Sequence, residues 1–188
     1  KDLLSADGWL RFDHNAWSGL WHTAPDGWSH MPGHGHQDCG GFELHFAGEP
    51  LFRDMGRGLY GETHAATYDR SALAHNTLLL DGADPYPANK PYYDNAFRGK
   101  IGGKAPELYC QENSVFLRHW GFCRLSGGGG AITRNWRFTD SAFTLSDDIE
   151  GRGQRAITRR LHTTMAVEKT ADGCTLKGQK RQFRLTCD

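Results

Sequence analysis

The chain has 188 residues, in which 22 lysines and arginines balance 22 aspartates and glutamates. This length suits one domain with a sizeable core, which buries about 70% of the surface of the unfolded chain. Zero net charge excludes a global field that draws the protein to nucleic acid, and no apolar run approaches the roughly 18 residues of a membrane span. The sequence therefore predicts neither a nucleic-acid nor a membrane partner, and it leaves the oligomeric state open.

Short apolar segments separated by turn residues run through the whole chain. The 24 glycines, the aromatic content of 12% and the lack of long apolar helical faces favour strands over helices. In the second half the pattern is typical of an antiparallel meander, with strands at residues 115–120, 131–138, 143–149 and 159–167. We predict an all-β fold, an antiparallel β-sandwich of the supersandwich type with short loops and no substantial helices.

A loop at residues 30–38 contains His30, His34, His36 and Asp38. If its backbone is extended, His34 and His36 point to the same face, so both imidazoles can reach one centre. Neutral imidazole is a favoured zinc ligand and also a general base near neutral pH. The alternative is a polar, glycine-rich turn whose histidines hydrogen-bond to neighbouring strands.

A predicted hairpin follows this loop and leads to two further candidate ligands. Residues 42–46 alternate with Phe42, Leu44 and Phe46 on the buried face, residues 47–50 form the turn, and a strand at residues 51–54 returns Asp54 towards the loop. Residues 57–74 have no strong period and are predicted to be an excursion. It ends where His75 enters a strand at residues 78–80.

These positions bring three possible metal ligands to strand ends or loops, namely His36, Asp54 and His75. Two imidazoles and one carboxylate leave one position of a tetrahedral zinc ion open. The alternative is a hydrogen-bonded polar cluster that holds no metal.

The sequence GHGHQDCGGFELHFAGEPLFRDMG, followed by RSALAHNTLLLDGAD, resembles the carboxyl-terminal β-domain of the heparinase II/III-like polysaccharide lyases. The similarity is close over residues 30–85 and looser over residues 135–163. Two departures from the family pattern affect local packing, Cys39-Gly40-Gly41 in the loop and Met55 where proline is usual.

The resemblance implies roles for individual residues. His36, Asp54 and His75 match the positions that bind zinc in the family, His34 matches a histidine of the active cleft, and Tyr60 matches a common tyrosine. Tyr68 is the reserve candidate for that tyrosine. Arg70 and Asn76 are candidate contacts to an acidic glycan.

The resemblance also implies a larger parent protein. Relatives combine an α/α-toroid with β-sheets, bind an acidic polysaccharide between them and cleave it by β-elimination at a uronic acid. Nothing in this sequence resembles the toroid, and the chain starts at Lys1 without an initiator methionine. We therefore expect residues 1–188 to be a single β-domain from a longer lyase, with little activity alone, in a bacterial periplasmic or secreted protein.

Two other functions remain open at this stage. A cupin-like metalloenzyme also uses a His-x-His pair, a carboxylate and a later histidine, but Glu43 lies seven positions after His36, which is too far for that motif. A non-catalytic β-sandwich that binds carbohydrate and uses zinc only to hold its loops is the second alternative.

Overall fold

The computed structural model describes residues 6–24, 35–87, 104–126, 129–151 and 153–187. Within these ranges the strands form four antiparallel sheets, whose orders are β1-β2-β3-β4, β6-β7-β8-β9, β11-β12-β13 and the pair β5-β10. The strands are β1 (Trp9–His14), β2 (Trp17–His22), β3 (Gly41–Phe46), β4 (Glu49–Phe52), β5 (Leu78–Leu80), β6 (Glu107–Gln111), β7 (Ser114–His119), β8 (Gly129–Phe138), β9 (Phe143–Gly151), β10 (Ile157–Arg159), β11 (Ala166–Thr170), β12 (Gly173–Lys177) and β13 (Gln182–Thr186). The predicted antiparallel β-sandwich is confirmed.

Two tight hairpins set the register of the first sheet. The β1–β2 turn contains Asn15 at φ 52°, and the pairing that follows places Trp9 opposite His22. The β3–β4 turn consists of Ala47 and Gly48 at φ 48° and 78°, a left-handed pair that suits a two-residue turn. The prediction of a four-residue turn there is wrong, since β4 already begins at Glu49 and ends at Phe52, before Asp54.

The core lies between the first sheet and the β6–β9 sheet. Trp21 and Phe42 contact Trp136 edge-on, with ring centroids 5.9 and 5.4 Å apart, and Phe12 packs on Phe138 at 5.3 Å. These five side chains are at most 7% exposed. Because facing aromatic rings from both sheets interdigitate, burial of apolar surface fixes how the sheets stack.

Two local predictions are wrong. Residues 57–74 are not an irregular excursion throughout, because they contain helix α1 (His64–Arg70) and a 3₁₀ turn (Ala72–Ala74). The strand predicted at residues 159–167 is divided, since β10 ends at Arg159 and β11 begins at Ala166. A second 3₁₀ turn spans Gly121–Arg124, and none of the helices in the described ranges has the length and apolar character needed to cross a bilayer.

Helix α1 begins at a side-chain cap, which gives the first testable prediction. The hydroxyl of Thr63 accepts a hydrogen bond from the Ala66 amide at 3.2 Å. Thr63→Ala should lower the free energy of unfolding by about 1 kcal/mol, measured by urea denaturation, because this amide loses its partner. Thr67→Ala, the same substitution within the helix, should change it by less than about 0.5 kcal/mol. Equal effects of the two substitutions would contradict the role of the cap.

Candidate functional site

Three loops at one end of the first sheet carry the candidate site. His36 precedes β3, Asp54 follows β4, and His75 lies between the 3₁₀ turn and β5. Hydrogen bonds join the segments around His36 and His75, since the Gln37 amide donates to the Arg70 carbonyl at 2.9 Å and the Thr77 hydroxyl donates to the Cys39 carbonyl at 2.7 Å. The loops thus bring together side chains that are far apart in sequence.

His75 is fully buried and lies between the other two predicted ligands. Its Nδ1 is 2.9 Å from Asp54 Oδ1, and its Nε2 is 3.0 Å from His36 Nδ1 and 3.2 Å from the Asp69 carbonyl. The structure therefore groups His36, Asp54 and His75, with His75 using different ring nitrogens for its two partners.

Asp38 and His22 extend this group. Asp38 Oδ2 is 3.7 Å from His36 Nε2 and 2.6 Å from His22 Nδ1. Five side chains, in the order Asp54, His75, His36, Asp38 and His22, thus lie in one row. Hydrogen bonds fix the imidazole orientations within Asp54–His75–His36 and within Asp38–His22, and the 3.7 Å between His36 and Asp38 is longer than a hydrogen bond.

Burial and charge act against each other in this row. Burial alone would raise the pKa of Asp54, but the hydrogen bond and charge of His75 outweigh it and lower that pKa. Burial would lower the pKa of His75, but Asp54 outweighs it and raises that pKa. For His36 burial dominates the attraction of Asp38, so its pKa is lowered. His75 therefore takes up a proton at a higher pH than His36 does.

The same geometry limits how a metal ion fits. Two imidazoles and a carboxylate are zinc donors, and two nitrogens on one tetrahedral zinc lie about 3.3 Å apart, close to the 3.0 Å between His36 Nδ1 and His75 Nε2. Asp54 faces the other nitrogen of His75, as a carboxylate that orients a ligating histidine does. Within the described ranges no three such side chains converge on one point.

Comparison with known proteins identifies the family of this chain. A family profile described as "Heparinase II/III-like, C-terminal" matches residues 2–187. The chain belongs to this family. A search of curated proteins found no significant match.

Solved structures of similar fold include heparinase III chains. A crystal structure of heparinase III aligns with a TM-score of 0.60 and 20% identity, over 90% of this chain and 26% of that chain. A heparinase III gene product with methylated lysines aligns with a TM-score of 0.53 and 17% identity, over 89% and 26%. This heparinase II/III-like domain thus spans about a quarter of the length of those chains.

The other residues predicted to contact substrate in this heparinase II/III-like domain differ in their positions and contacts. His34 lies outside the described residues. Tyr60 is 63% exposed, with the Arg57 guanidinium 4.5 Å from its ring centroid, and Tyr68 donates its hydroxyl to the Leu73 carbonyl. The predicted glycan contact of Asn76 is wrong, because Asn76 is fully buried and donates to the Phe42 carbonyl at 2.8 Å.

Sequence reasoning missed two residues of this site, Trp9 and His22. Both line a cavity of about 380 Å³ that also contacts His36, Asp38 and Asp54. A signal for them was present, because a two-residue turn at Asn15 makes Trp9 and His22 cross-strand partners in the β1–β2 hairpin. The heparinase II/III-like fold thus places an aromatic and a histidine beside the predicted ligands.

Proposed function

We propose that this chain is the zinc-binding β-domain of a polysaccharide lyase that cleaves uronic-acid-containing polysaccharides, of the heparan sulfate or alginate kind, by β-elimination. The family membership supports a lyase-related domain. The observation that carries the finer proposal is the grouping of His36, Asp54 and His75, with His75 3.0 Å from His36 and 2.9 Å from Asp54. Full-length relatives bind the polysaccharide between a β-domain and an α/α-toroid. We propose an α/α-toroid as the partner domain of this chain.

The proposed reaction divides between residues of both domains. A base removes the proton next to the uronate carboxylate, the electron pair of that C–H bond forms a carbon–carbon double bond, and the bond to the glycosidic oxygen breaks as an acid protonates that oxygen. In this domain, His34 and Tyr60 are the proposed participants. Tyr60 is exposed and can therefore reach a substrate that lies across the domain.

We propose that His36, Asp54 and His75 hold a zinc ion, which would stabilise the three loops and polarise bound oxygen atoms. Asp54 contacts Nδ1 of His75, on the side of the ring away from His36, so its carboxylate must turn to reach an ion held between the two imidazoles. The two facing imidazole nitrogens supply the soft, neutral donors that zinc favours over magnesium or calcium.

Metal analysis tests the zinc proposal. The purified chain is expected to contain about one zinc ion per molecule, and His36→Ala should lose it and unfold at a lower temperature. His45→Ala, the same substitution at a strand residue outside the site, should keep both the metal and the unfolding temperature. A chelator should lower the unfolding temperature of the unmodified chain but leave that of His36→Ala unchanged. Equal zinc content in the two variants would contradict the ligand assignment.

A turnover assay of the intact parent protein tests the lyase proposal. The parent should release an unsaturated product that absorbs in the ultraviolet from at least one member of a panel of uronic-acid polysaccharides. The 188-residue chain alone should release little or none, because the proposed partner domain supplies the other half of the cleft. We also propose a periplasmic or secreted parent, which cell fractionation would test.

A further inference from the structure

The cavity beside the site has the composition of a ligand pocket. Its volume of about 380 Å³ lies within the range of about 300–1,000 Å³ for small-molecule sites. Its walls come from the ends of β1, β2 and β3 and from the segment 54–57. Three apolar side chains, those of Trp9, Leu20 and Phe42, line it together with six polar or charged ones, so the cavity offers both an apolar face and hydrogen-bond partners.

Among the tryptophans that the structure describes, Trp9 is the most exposed. It is 37% exposed at the start of β1, whereas Trp17, Trp21 and Trp136 are at most 3% exposed in the core. Its ring lies against the imidazole of His22, with centroids 4.3 Å apart, so the indole is held in place without being covered. A rigid, partly exposed indole at a cavity provides a broad apolar face at small entropic cost. The C–H face of a pyranose ring is a natural partner for it.

His22 and Asp38 provide directed polar atoms next to this indole. His22 Nδ1 lies 2.6 Å from Asp38 Oδ2, so this ring nitrogen is occupied by the carboxylate and Nε2 is the ring atom left for a ligand. With side chains 19% and 14% exposed, the pair is held firmly yet reachable from the cavity.

The charges around the cavity select against an anionic sugar. Apart from Asp54, which we propose as a zinc ligand, the described part of the lining carries the carboxylates of Asp38 and Glu43 and the guanidinium of Arg57. A uronate entering this space meets like charges at short range in a partly desolvated site, which is unfavourable. A pyranose with hydroxyl, acetamido or amino groups meets acceptors that match its donors.

We propose that this cavity is a saccharide subsite for a neutral or amino pyranose, which stacks on Trp9 and hydrogen-bonds to His22 and Asp38, while the uronate of the chain lies elsewhere. The inference rests on the proposed function only in taking a glycan as the partner. The inference adds that this domain binds the sugar next to the uronate. It also assigns roles to two residues outside the predicted ligand set.

Saturation-transfer NMR of the 188-residue chain tests the subsite with three probes, the methyl glycosides of N-acetylglucosamine, glucose and glucuronic acid. The first two should receive saturation and shift the Trp9 indole resonance, and the glucuronide should bind at least about tenfold more weakly. Trp9→Ala should weaken binding of the neutral glycosides about tenfold, and Trp9→Phe should retain most of it. Tyr109→Ala removes an aromatic residue that is 49% exposed on β6 and should change nothing.

Three results would each overturn the subsite: no saccharide binding, equal affinity for the glucuronide, or unchanged binding by Trp9→Ala in a variant whose circular dichroism is native. The lyase proposal fails separately, through the absence of unsaturated product from the intact parent. That failure would leave the sugar titration of this chain unaffected, so the two outcomes are distinguishable.

Discussion

Asp147→Asn is expected to lower the free energy of unfolding by about 3–5 kcal/mol, because it leaves a buried guanidinium without its counter-charge. Asp147 on β9 accepts from Arg134 Nε at 2.8 Å, and the side chains of both residues are 0% exposed. Arg159 binds the other carboxylate oxygen. Arg134 also reaches the carbonyls of Gly40 and Asn76, so this ion group holds the loops of the candidate site against the second sheet.

Asp148→Asn is the matched control, since Asp148 is the exposed neighbour of Asp147 on the same strand. It should change the free energy of unfolding by less than about 0.5 kcal/mol in a urea titration. The double variant Arg134→Met/Asp147→Leu should recover much of the loss, because it removes both charges from the interior. Similar costs for Asp147→Asn and Asp148→Asn would show that the buried pair does not stabilise the fold.

The same carboxylate predicts a pH dependence. Burial would raise the pKa of Asp147, but the charge of Arg134 and the hydrogen bond of Arg159 lower it below its usual range. A group whose pKa is lower in the folded than in the unfolded state contributes stability above the unfolded pKa, and loses it as the pH falls through the folded pKa. The difference in unfolding free energy between the unmodified chain and Asp147→Asn should therefore be largest near neutral pH and shrink below about pH 4.

The sequence is sufficient for those parts of the fold that depend on local pattern. The alternation at residues 42–46 predicts the buried face of β3, and Phe42 and Leu44 are indeed at most 1% exposed. The hairpin that follows predicts that Asp54 returns towards the histidine loop, and a Cβ added to Gly41, the first residue of β3 just after that loop, would lie 3.4 Å from Asp54 Oδ2. Both inferences need only the strand period and a tight turn.

Features that depend on contacts between distant segments cannot be predicted from the local sequence pattern. β5 pairs with β10, which is more than 70 residues away, and no local period announces this partner. Helix α1 is only seven residues long, too short for an apolar stripe, and its start depends on the single cap at Thr63. The buried position of Asn76 likewise depends on segments that arrive from β3 and from residues after β10.

The residues from Asp54 to His22 also divide into those predictable from sequence and those that depend on distant contacts. Asp54, His36 and His75 could be placed together from strand ends and from the family resemblance. His22 is recognisable only when the β1–β2 register sets it opposite Trp9 and the β2–β3 register sets it opposite Gly41, next to Asp38. The contact at 2.6 Å between His22 and Asp38 therefore depends on tertiary structure, because it forms only when both strand pairings place His22 beside the loop that carries Asp38.

Asn76→Ala is expected to cost about 2–5 kcal/mol, because Asn76 is fully buried and satisfies two backbone groups that cannot reach water. Its Nδ2 donates to the Phe42 carbonyl at 2.8 Å, and its Oδ1 accepts from the His162 amide at 2.6 Å. Alanine leaves both backbone groups without a partner, each at a cost of about 1–3 kcal/mol. Urea denaturation at neutral pH measures the sum.

The position of Asn76 makes this loss propagate into the candidate site. The His162 carbonyl accepts from the Arg53 amide at 3.0 Å, so the backbone of His162 links Asn76, which follows His75, to Arg53, which precedes Asp54. Asn135→Ala is the control, since Asn135 Oδ1 has no hydrogen-bond partner among the described residues, and it should cost less than about 1 kcal/mol. Asn76→Asp should also destabilise, because it sets a carboxylate oxygen against the Phe42 carbonyl. If Asn76→Ala costs no more than Asn135→Ala, the buried amide does not hold these loops together.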